Sequence, residues 1–170
     1  MKNRQAGFTL LELLIVMAML GIVFALSAGA LSSGRDRSEM REAQKTFEQA
    51  TERVRTLVRR FGYNYLLTIS TDKKSFVYSA QNAAGVAVAN SAPDVIGKFP
   101  TSVTIAVKPT TINLSNPLFK APFARTLGGG APICFELVSS ISSLKTAVDL
   151  VGVTGKVVSR DISNTSGCTI

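Results

Sequence analysis

The sequence predicts an α+β protein in which one long N-terminal helix packs on an antiparallel β-sheet head. Two observations carry that prediction. The first is an apolar run from Phe8 to Leu31, in which Glu12 is the only charged residue. The second is the change after Gly62 from helical periodicity to short β-rich runs separated by turn residues. The helix is therefore expected over residues 8–61, and the strands over the remainder of the chain.

The apolar run is long enough to cross a membrane. A helix of this length rises by about 36 Å, whereas the hydrocarbon core of a bilayer is about 30 Å thick. A charge such as Glu12 inside the span costs about 2.5–3.5 kcal/mol on insertion scales, so we expect it to have a partner or a function. Lys2 and Arg4 precede the run and favour a cytoplasmic start, although Arg35 and Arg37 beyond it weaken that assignment.

The residues at the start of the run resemble the class III signal of type IV prepilins and type II secretion pseudopilins. A glycine, a phenylalanine, a threonine, two leucines and a glutamate follow one another from Gly7 to Glu12. In that family a prepilin peptidase cleaves after the glycine, and the new N-terminal residue is methylated. The resemblance implies cleavage between Gly7 and Phe8, N-methylation of Phe8, and a role for Glu12 in docking onto the growing filament.

Elementary electrostatics agrees with that role for Glu12. The amine of Phe8 is positive, and Glu12 of an adjacent subunit would neutralise it in an apolar surrounding, where opposite charges attract more strongly than in water. Two other interpretations compete. One is an ordinary secretory signal cut after Ala30, which would need an unusually long apolar region carrying a glutamate. The other is a plain membrane anchor with an incidental glutamate.

Four segments follow from this interpretation. Residues 1–7 are a cleaved leader, residues 8–34 a hydrophobic transmembrane and assembly helix, residues 35–62 the amphipathic second half of that helix, and residues 63–170 a β-rich globular head. In the second half, apolar residues recur at steps of three and four, which predicts one buried stripe. The stripe consists of Met40, Ala43, Phe47, Ala50, Val54, Leu57, Val58 and Phe61. The Ser32-Ser33-Gly34 segment is expected to loosen the junction between the halves.

The head is predicted to contain short strands joined by turns and two long loops. The strand candidates are 65–70, 75–79, 103–107, 133–138, 146–151 and 155–160. Thr71 to Lys74 forms the turn of a first hairpin, and Gly152 to Thr154 the turn of a last one. Residues 80–93 and 113–132 are rich in Ala, Asn, Ser, Pro and Gly and are predicted as loops.

Composition argues against catalysis. The chain has no His, which removes the commonest general base and metal ligand, and no nucleophile–base pair or metal cluster stands out. We therefore expect no enzyme activity, no cofactor and no metal. The net charge is +8, and removal of Lys2 and Arg4 with the leader lowers it to +6. That balance suits an acidic surface, anionic lipid or nucleic acid equally well.

The two cysteines, Cys134 and Cys168, are plausible disulfide partners in an exported domain of this size. Two free thiols are the alternative, and two cysteines without His make a poor metal site. Closing a loop of this length would stabilise the fold by about 3–4 kcal/mol. Many type IV pilins have a comparable C-terminal disulfide loop, so the resemblance also implies this pairing.

The order of the strand candidates resembles the H-type minor pseudopilins and FimT-like minor pilins. Members of that group often begin the last strand with Gly-Arg-Val, and Gly155-Lys156-Val157 stands at the matching place here. The DNA-binding members have an arginine where this chain has Val158. Lys156, Arg160 and Arg125 are therefore candidates for contacts with DNA phosphates, and the alternative for Lys156 and Arg160 is a solvated strand face.

The function predicted from the sequence is structural. We expect a minor pilin or pseudopilin that is assembled into a type IV pilus or a type II secretion pseudopilus after cleavage and N-methylation. Its partners would be other pilins, the prepilin peptidase, the inner-membrane assembly platform and membrane lipid. It would cross the inner membrane once, with the head in the periplasm, before entering the filament. The alternative is a DNA-binding minor pilin that acts as a receptor in natural transformation.

Overall fold

The computed structural model describes residues 9–88, 92–108, 114–121, 124–126, 132–153, 155–165 and 167–168, without the side chains of residues 26–32 and 125. The chain divides after Arg35 into two compact units. The first unit contains the beginning of the helix α1 (Leu10–Phe61), and the second contains the remainder of that helix together with the strands. The predicted α+β class is confirmed.

Helix α1 runs for 52 residues without interruption. The helix continues through Ser33 and Gly34, and the predicted loosening at this point stays a prediction. It ends at Phe61, as the sequence predicts. Gly62 follows with a φ of 70°, and its N–H donates to the carbonyl of Val58 at 2.9 Å. This is a left-handed cap, which glycine adopts without the steric penalty of a side chain.

The strands of the described residues form two antiparallel sheets rather than a single one. They are β1 (Asn64–Ile69), β2 (Ser75–Gln81), β3 (Val95–Lys98), β4 (Val103–Lys108), β5 (Phe119–Lys120), β6 (Arg125–Thr126), β7 (Ile133–Ser139), β8 (Lys145–Val151) and β9 (Lys156–Ser159). One sheet has the order β3-β2-β1-β5-β6, and the other has the order β4-β7-β8-β9.

The six predicted strands correspond to β1, β2, β4, β7, β8 and β9, and the two predicted hairpins are present. The prediction of residues 113–132 as a loop is wrong in part, because β5 and β6 lie within it. Each has only two residues, too few to show an alternating pattern, and is defined by pairing instead. Phe119 of β5 pairs with Tyr65 of β1, and Lys120 pairs with Arg125 of β6.

The second half of α1 packs against both sheets of its unit. Phe47 is fully buried, and its ring centroid lies 5.0 Å from that of Phe76 in β2 and 4.7 Å from that of Phe135 in β7. Aromatic pairs at these distances add to the stabilisation from burial. The predicted stripe is buried from Met40 to Val58, but Phe61 is 37% exposed, so its last member is predicted wrongly.

Polar contacts hold the beginning of the second unit. Asp36 is 2% exposed, and its carboxylate accepts hydrogen bonds from the hydroxyls of Ser139, at 2.7 Å, and Ser142. One turn along the helix, the carboxylate of Glu39 accepts a hydrogen bond from Ser102, just before β4. These contacts, which we call the polar clamp, join α1 to the β7–β8 turn and to the start of β4.

Candidate functional site

The predicted cleavage site, Gly7 and Phe8, lies outside the described residues, so its processing stays a prediction. Glu12 lies in the first turn of α1 and is exposed. The N–H of Glu12 lies 3.3 Å from the hydroxyl of Thr9 and 3.1 Å from its carbonyl, so Thr9 acts as the N-cap. An acidic residue three positions after a threonine cap is favourable there, because the helix dipole attracts negative charge. Glu12 is thus compatible with the helix start and remains accessible to an external positive charge.

The apolar side chains at the start of α1 are exposed. They are 45–82% exposed and comprise Leu10, Leu11, Leu13, Leu14, Ile15, Val16, Met17, Met19, Leu20, Ile22, Val23 and Phe24. Extended apolar surfaces of this kind mark sites of contact with protein or membrane. Among the described residues, no helix combines the length and hydropathy that a membrane crossing requires. The predicted single membrane span therefore stays a prediction.

The predicted disulfide is present between Cys134 and Cys168. Their sulfurs are bonded, and their Cα atoms lie 5.9 Å apart, within the usual range for a bridge. Cys134 belongs to β7, whereas Cys168 lies in the segment after β9. The bridge therefore ties the C-terminal segment to the central part of the four-stranded sheet.

Arg160 has structural partners that the sequence did not indicate. Its Nη2 and Nε atoms lie 2.9 and 3.0 Å from Oδ2 of Asp149, and its Nη1 donates to the carbonyl of Gly167 at 3.1 Å. Asp149 is on β8, and Gly167 is next to the bridged Cys168. The guanidinium therefore fastens the C-terminal segment to β8, and its charge is already matched by a carboxylate.

The other two candidates for DNA contacts are placed differently. Lys156 begins β9 and is exposed, about 13 Å along the extended chain from Arg160. Arg125 belongs to β6 of the other sheet, and its side chain is not described. Its neighbour Thr126 donates to the carbonyl of Val153 at 2.8 Å, which places β6 beside the β8–β9 turn. The structure does not bring Lys156 and Arg160 into one compact cluster.

A basic cleft that the sequence analysis did not single out lies in the second unit. It has a volume of about 280 Å³ and is lined by Arg37, Arg41, Gln44, Ser159, Arg160 and Asp161. The first three residues follow one another at helical steps of four and three, so they share one face of α1. The sequence shows the spacing of Arg37, Arg41 and Gln44. It does not show that this face of α1 packs beside the end of β9, and only the structure reveals that packing.

Comparisons with known proteins agree with the N-terminal signal. Residues 2–28 match the family model described as the prokaryotic N-terminal methylation motif. The chain is 32% identical over 106 residues to the type IV major pilin protein PilE1 of Neisseria gonorrhoeae. That stretch is 62% of this chain and 42% of that protein, so the chain spans less than half the length of this relative. No solved structure gives a significant match.

The methylation motif, the similarity to a major pilin and the helix followed by antiparallel sheets all agree with the resemblance to type IV pilins. The motif covers the predicted cleavage and methylation positions and the acid at Glu12. The fold of the second unit agrees with what the resemblance implied for the head. The chain is similar to type IV pilins in its N-terminal methylation motif and in the stretch that it shares with a major pilin.

Proposed function

We propose that the protein is a structural subunit of a type IV pilus or a type II secretion pseudopilus. The prepilin peptidase cleaves between Gly7 and Phe8, Phe8 is N-methylated, and the apolar half of α1 holds the subunit in the inner membrane until the assembly platform adds it to the filament. The observation that carries the proposal is the exposed apolar surface from Leu10 to Phe24, interrupted by the single acid Glu12 within the methylation motif.

Assembly then has a simple physical basis. Exposed apolar side chains leave lipid and pack against the helices of other subunits, while Glu12 neutralises the amine of a neighbouring Phe8. An unpaired charge in such a surrounding is strongly unfavourable, so pairing selects the correct register. The head remains on the periplasmic side and contacts other subunits. The proposal assigns no catalytic residue; hydrolase activity that copurifies with the folded chain would contradict this part.

The test replaces Glu12 by Ala and measures two quantities, the amount of protein in the membrane and the amount in sheared filaments. We expect Glu12→Ala to enter the membrane and be processed normally but to be lost from filaments. Glu42→Ala is the matched control, because Glu42 is an exposed acid on the same helix. Normal incorporation of Glu12→Ala would exclude the proposed mechanism.

We propose further that the subunit is a minor one, on the basis of its resemblance to the H-type and FimT-like group. Counting copies relative to the most abundant pilin in purified filaments tests this, and a ratio near unity contradicts it. Finding the protein in surface pili, or only in filaments formed by the secretion machinery, distinguishes a pilin from a pseudopilin.

A second candidate is a DNA receptor used in natural transformation, which the exposed Lys156 on the edge strand β9 favours. The pairing of Arg160 with Asp149 weighs against it. A DNA receptor should bind DNA more weakly as the salt concentration rises, because basic side chains that neutralise DNA phosphates release counterions on binding. Lys156→Gln should reduce that binding, whereas Lys98→Gln, an exposed lysine on edge strand β3, should not. Equal effects of the two replacements would exclude a site on β9.

A further inference from the structure

The helix wall of the basic cleft carries two guanidinium groups, those of Arg37 and Arg41. Arg37 and Arg41 are exposed and one turn apart. In the described part of the chain, neither side chain makes an ion pair or hydrogen bond. Like charges at this spacing repel each other and weaken a helix. A bound anion between the two side chains would relieve that repulsion.

The opposite wall of the cleft, formed by Ser159, Arg160 and Asp161 at the end of β9, is held in place by several hydrogen bonds. The carbonyl of Arg160 accepts from Oγ1 of Thr146 at 2.7 Å and from Nε2 of Gln44 at 3.3 Å, and its N–H donates to the carbonyl of Ala147 at 2.9 Å. Gln44 therefore links the helix wall directly to the wall that follows β9. Because these bonds link the two walls of the cleft, little rearrangement is needed to bind a ligand between them, which lowers the entropic cost of binding.

The charge of the cleft is positive. Its lining contains three guanidinium groups and one carboxylate, that of Asp161. In the described structure Asp161 forms no ion pair with Arg37 or Arg41. Even with Arg160 matched by Asp149, the two helix arginines exceed Asp161 by one positive charge. The volume of about 280 Å³ is just below the range of about 300–1,000 Å³ typical of drug-sized ligands, which favours a small anionic group.

We propose that this cleft binds a phosphate group, with Arg37 and Arg41 as its main donors. The planar guanidinium presents several N–H donors in a fork that matches phosphate oxygens, and such charge-assisted bonds are stronger than neutral ones. Two sources share this chemistry, inorganic phosphate and the phosphodiester headgroup of an anionic phospholipid. The proposal goes beyond filament assembly and does not depend on it, since its test measures binding by the unassembled chain.

The experiment uses the full chain in a non-ionic detergent and measures its thermal unfolding midpoint in millimolar potassium phosphate and in potassium chloride of equal ionic strength. A ligand that binds only the folded state raises the midpoint with its concentration. We expect phosphate, and not chloride, to raise it. Equilibrium dialysis with radiolabelled phosphate should find one site per chain, and this measurement needs no variant.

Two double variants locate the site. Arg37→Gln with Arg41→Gln should weaken phosphate binding by about tenfold or more, since hydrogen bonds to charged groups are the strong ones. Arg53→Gln with Arg59→Gln removes the same charge from exposed positions of α1 that do not line the cleft, and should leave binding unchanged. Absence of phosphate binding in dialysis, or an equal loss in both double variants, would overturn the proposal.

A competition assay identifies the source of the phosphate. Short-chain phosphatidylglycerol below its micelle concentration should displace labelled phosphate if the natural ligand is a lipid headgroup, and short-chain phosphatidylcholine is the zwitterionic control. Phosphate binding that neither lipid displaces supports free phosphate as the ligand. Duplex DNA that binds through Arg37 and Arg41 while inorganic phosphate does not would contradict the proposal and assign the cleft to nucleic acid.

Discussion

The two halves of α1 have opposite relations to solvent although they belong to one continuous helix. From Leu10 to Phe24 the large apolar side chains are exposed, whereas from Met40 to Val58 the apolar stripe is buried against two sheets. Apart from Glu12, the first half carries large apolar residues on every side, whereas the second has one apolar face and one charged face. A helix that is apolar all round requires surroundings that are apolar all round.

The difference shows that helical conformation does not by itself determine burial in this chain, because both halves are helical and only the second is buried within it. The second half satisfies its apolar face within the chain, so its stability depends on Phe47 and the residues around it. The first half leaves its apolar surface available for a membrane or for other helices. Substitutions in the second half should therefore affect folding, and substitutions in the first half should affect the assembly that we propose.

The largest contrast is expected between Phe47→Ala and Leu13→Ala. Phe47 is fully buried between rings of both sheets, so its truncation should lower the free energy of unfolding by about 3–5 kcal/mol. Leu13 is 59% exposed, and its truncation should change that free energy by less than about 0.5 kcal/mol. Urea unfolding of the full chain in detergent, followed by tyrosine near-UV circular dichroism, measures both. Similar losses of unfolding free energy in the two variants would contradict the expected difference between the two halves of α1.

Removal of the disulfide should act on the second half through the sheet that it packs against. Replacing Cys134 and Cys168 by Ser is expected to lower the free energy of unfolding by about 3–4 kcal/mol, because the unfolded chain gains freedom. Hydrogen exchange should become faster for amides from Met40 to Val58 and remain unchanged from Leu10 to Phe24. Reduction of the wild-type protein should reproduce the effect and leave the variant unaffected. An unchanged urea midpoint would contradict this expectation.

A substitution in the polar clamp tests where burial of helix α1 begins. Asp36→Ala leaves the hydroxyls of Ser139 and Ser142 without their acceptor, so we expect a loss of about 1–3 kcal/mol in the free energy of unfolding. Glu42→Ala, at an exposed position of the same helix, should cost less than about 0.5 kcal/mol. Equal urea midpoints for the two variants would mean that the clamp contributes nothing to stability.

Tyr78→Phe should have the smallest effect at neutral pH. The hydroxyls of Tyr78 and Thr51 are 2.9 Å apart, and loss of this buried hydrogen bond should cost about 0.5–1.5 kcal/mol. Burial raises the pKa of Tyr78 above its ordinary value of 10.0. Above pH 10 the unfolded tyrosine releases its proton while the folded one retains it, so stability falls as pH rises.

The same substitution should therefore flatten the alkaline loss of stability. Unfolding midpoints measured at several pH values on both sides of pH 10 check this, with Tyr63→Phe as the control. An identical alkaline slope in Tyr78→Phe and wild type would exclude Tyr78 as a cause of that loss.

Several features could be predicted because they depend on residues close together in the chain. The helix, its stop at Gly62 and the buried stripe follow from three- and four-residue periodicity. The β1–β2 and β8–β9 hairpins follow from short turns between β-rich runs. Strand β3 could not be predicted this way, because Gly97 interrupts its pattern. In the structure Gly97 pairs with Phe76, and a Cβ at Gly97 would lie 2.1 Å from the Phe76 ring, so the glycine is what allows the ring to pack there.

The sequence by itself determined the α+β class, the long helix, the N-terminal signal around Glu12 and the pair of cysteines. Only the tertiary structure decided the division into two sheets, the pairing of Arg160 with Asp149, the burial of Asp36 and the cleft lined by Arg37 and Arg41. Periodicity and motifs are local properties, since they depend only on residues that are close together in the sequence. Contacts between distant segments depend on which faces pack together, and that is settled by the free energy of the whole fold rather than by any one segment.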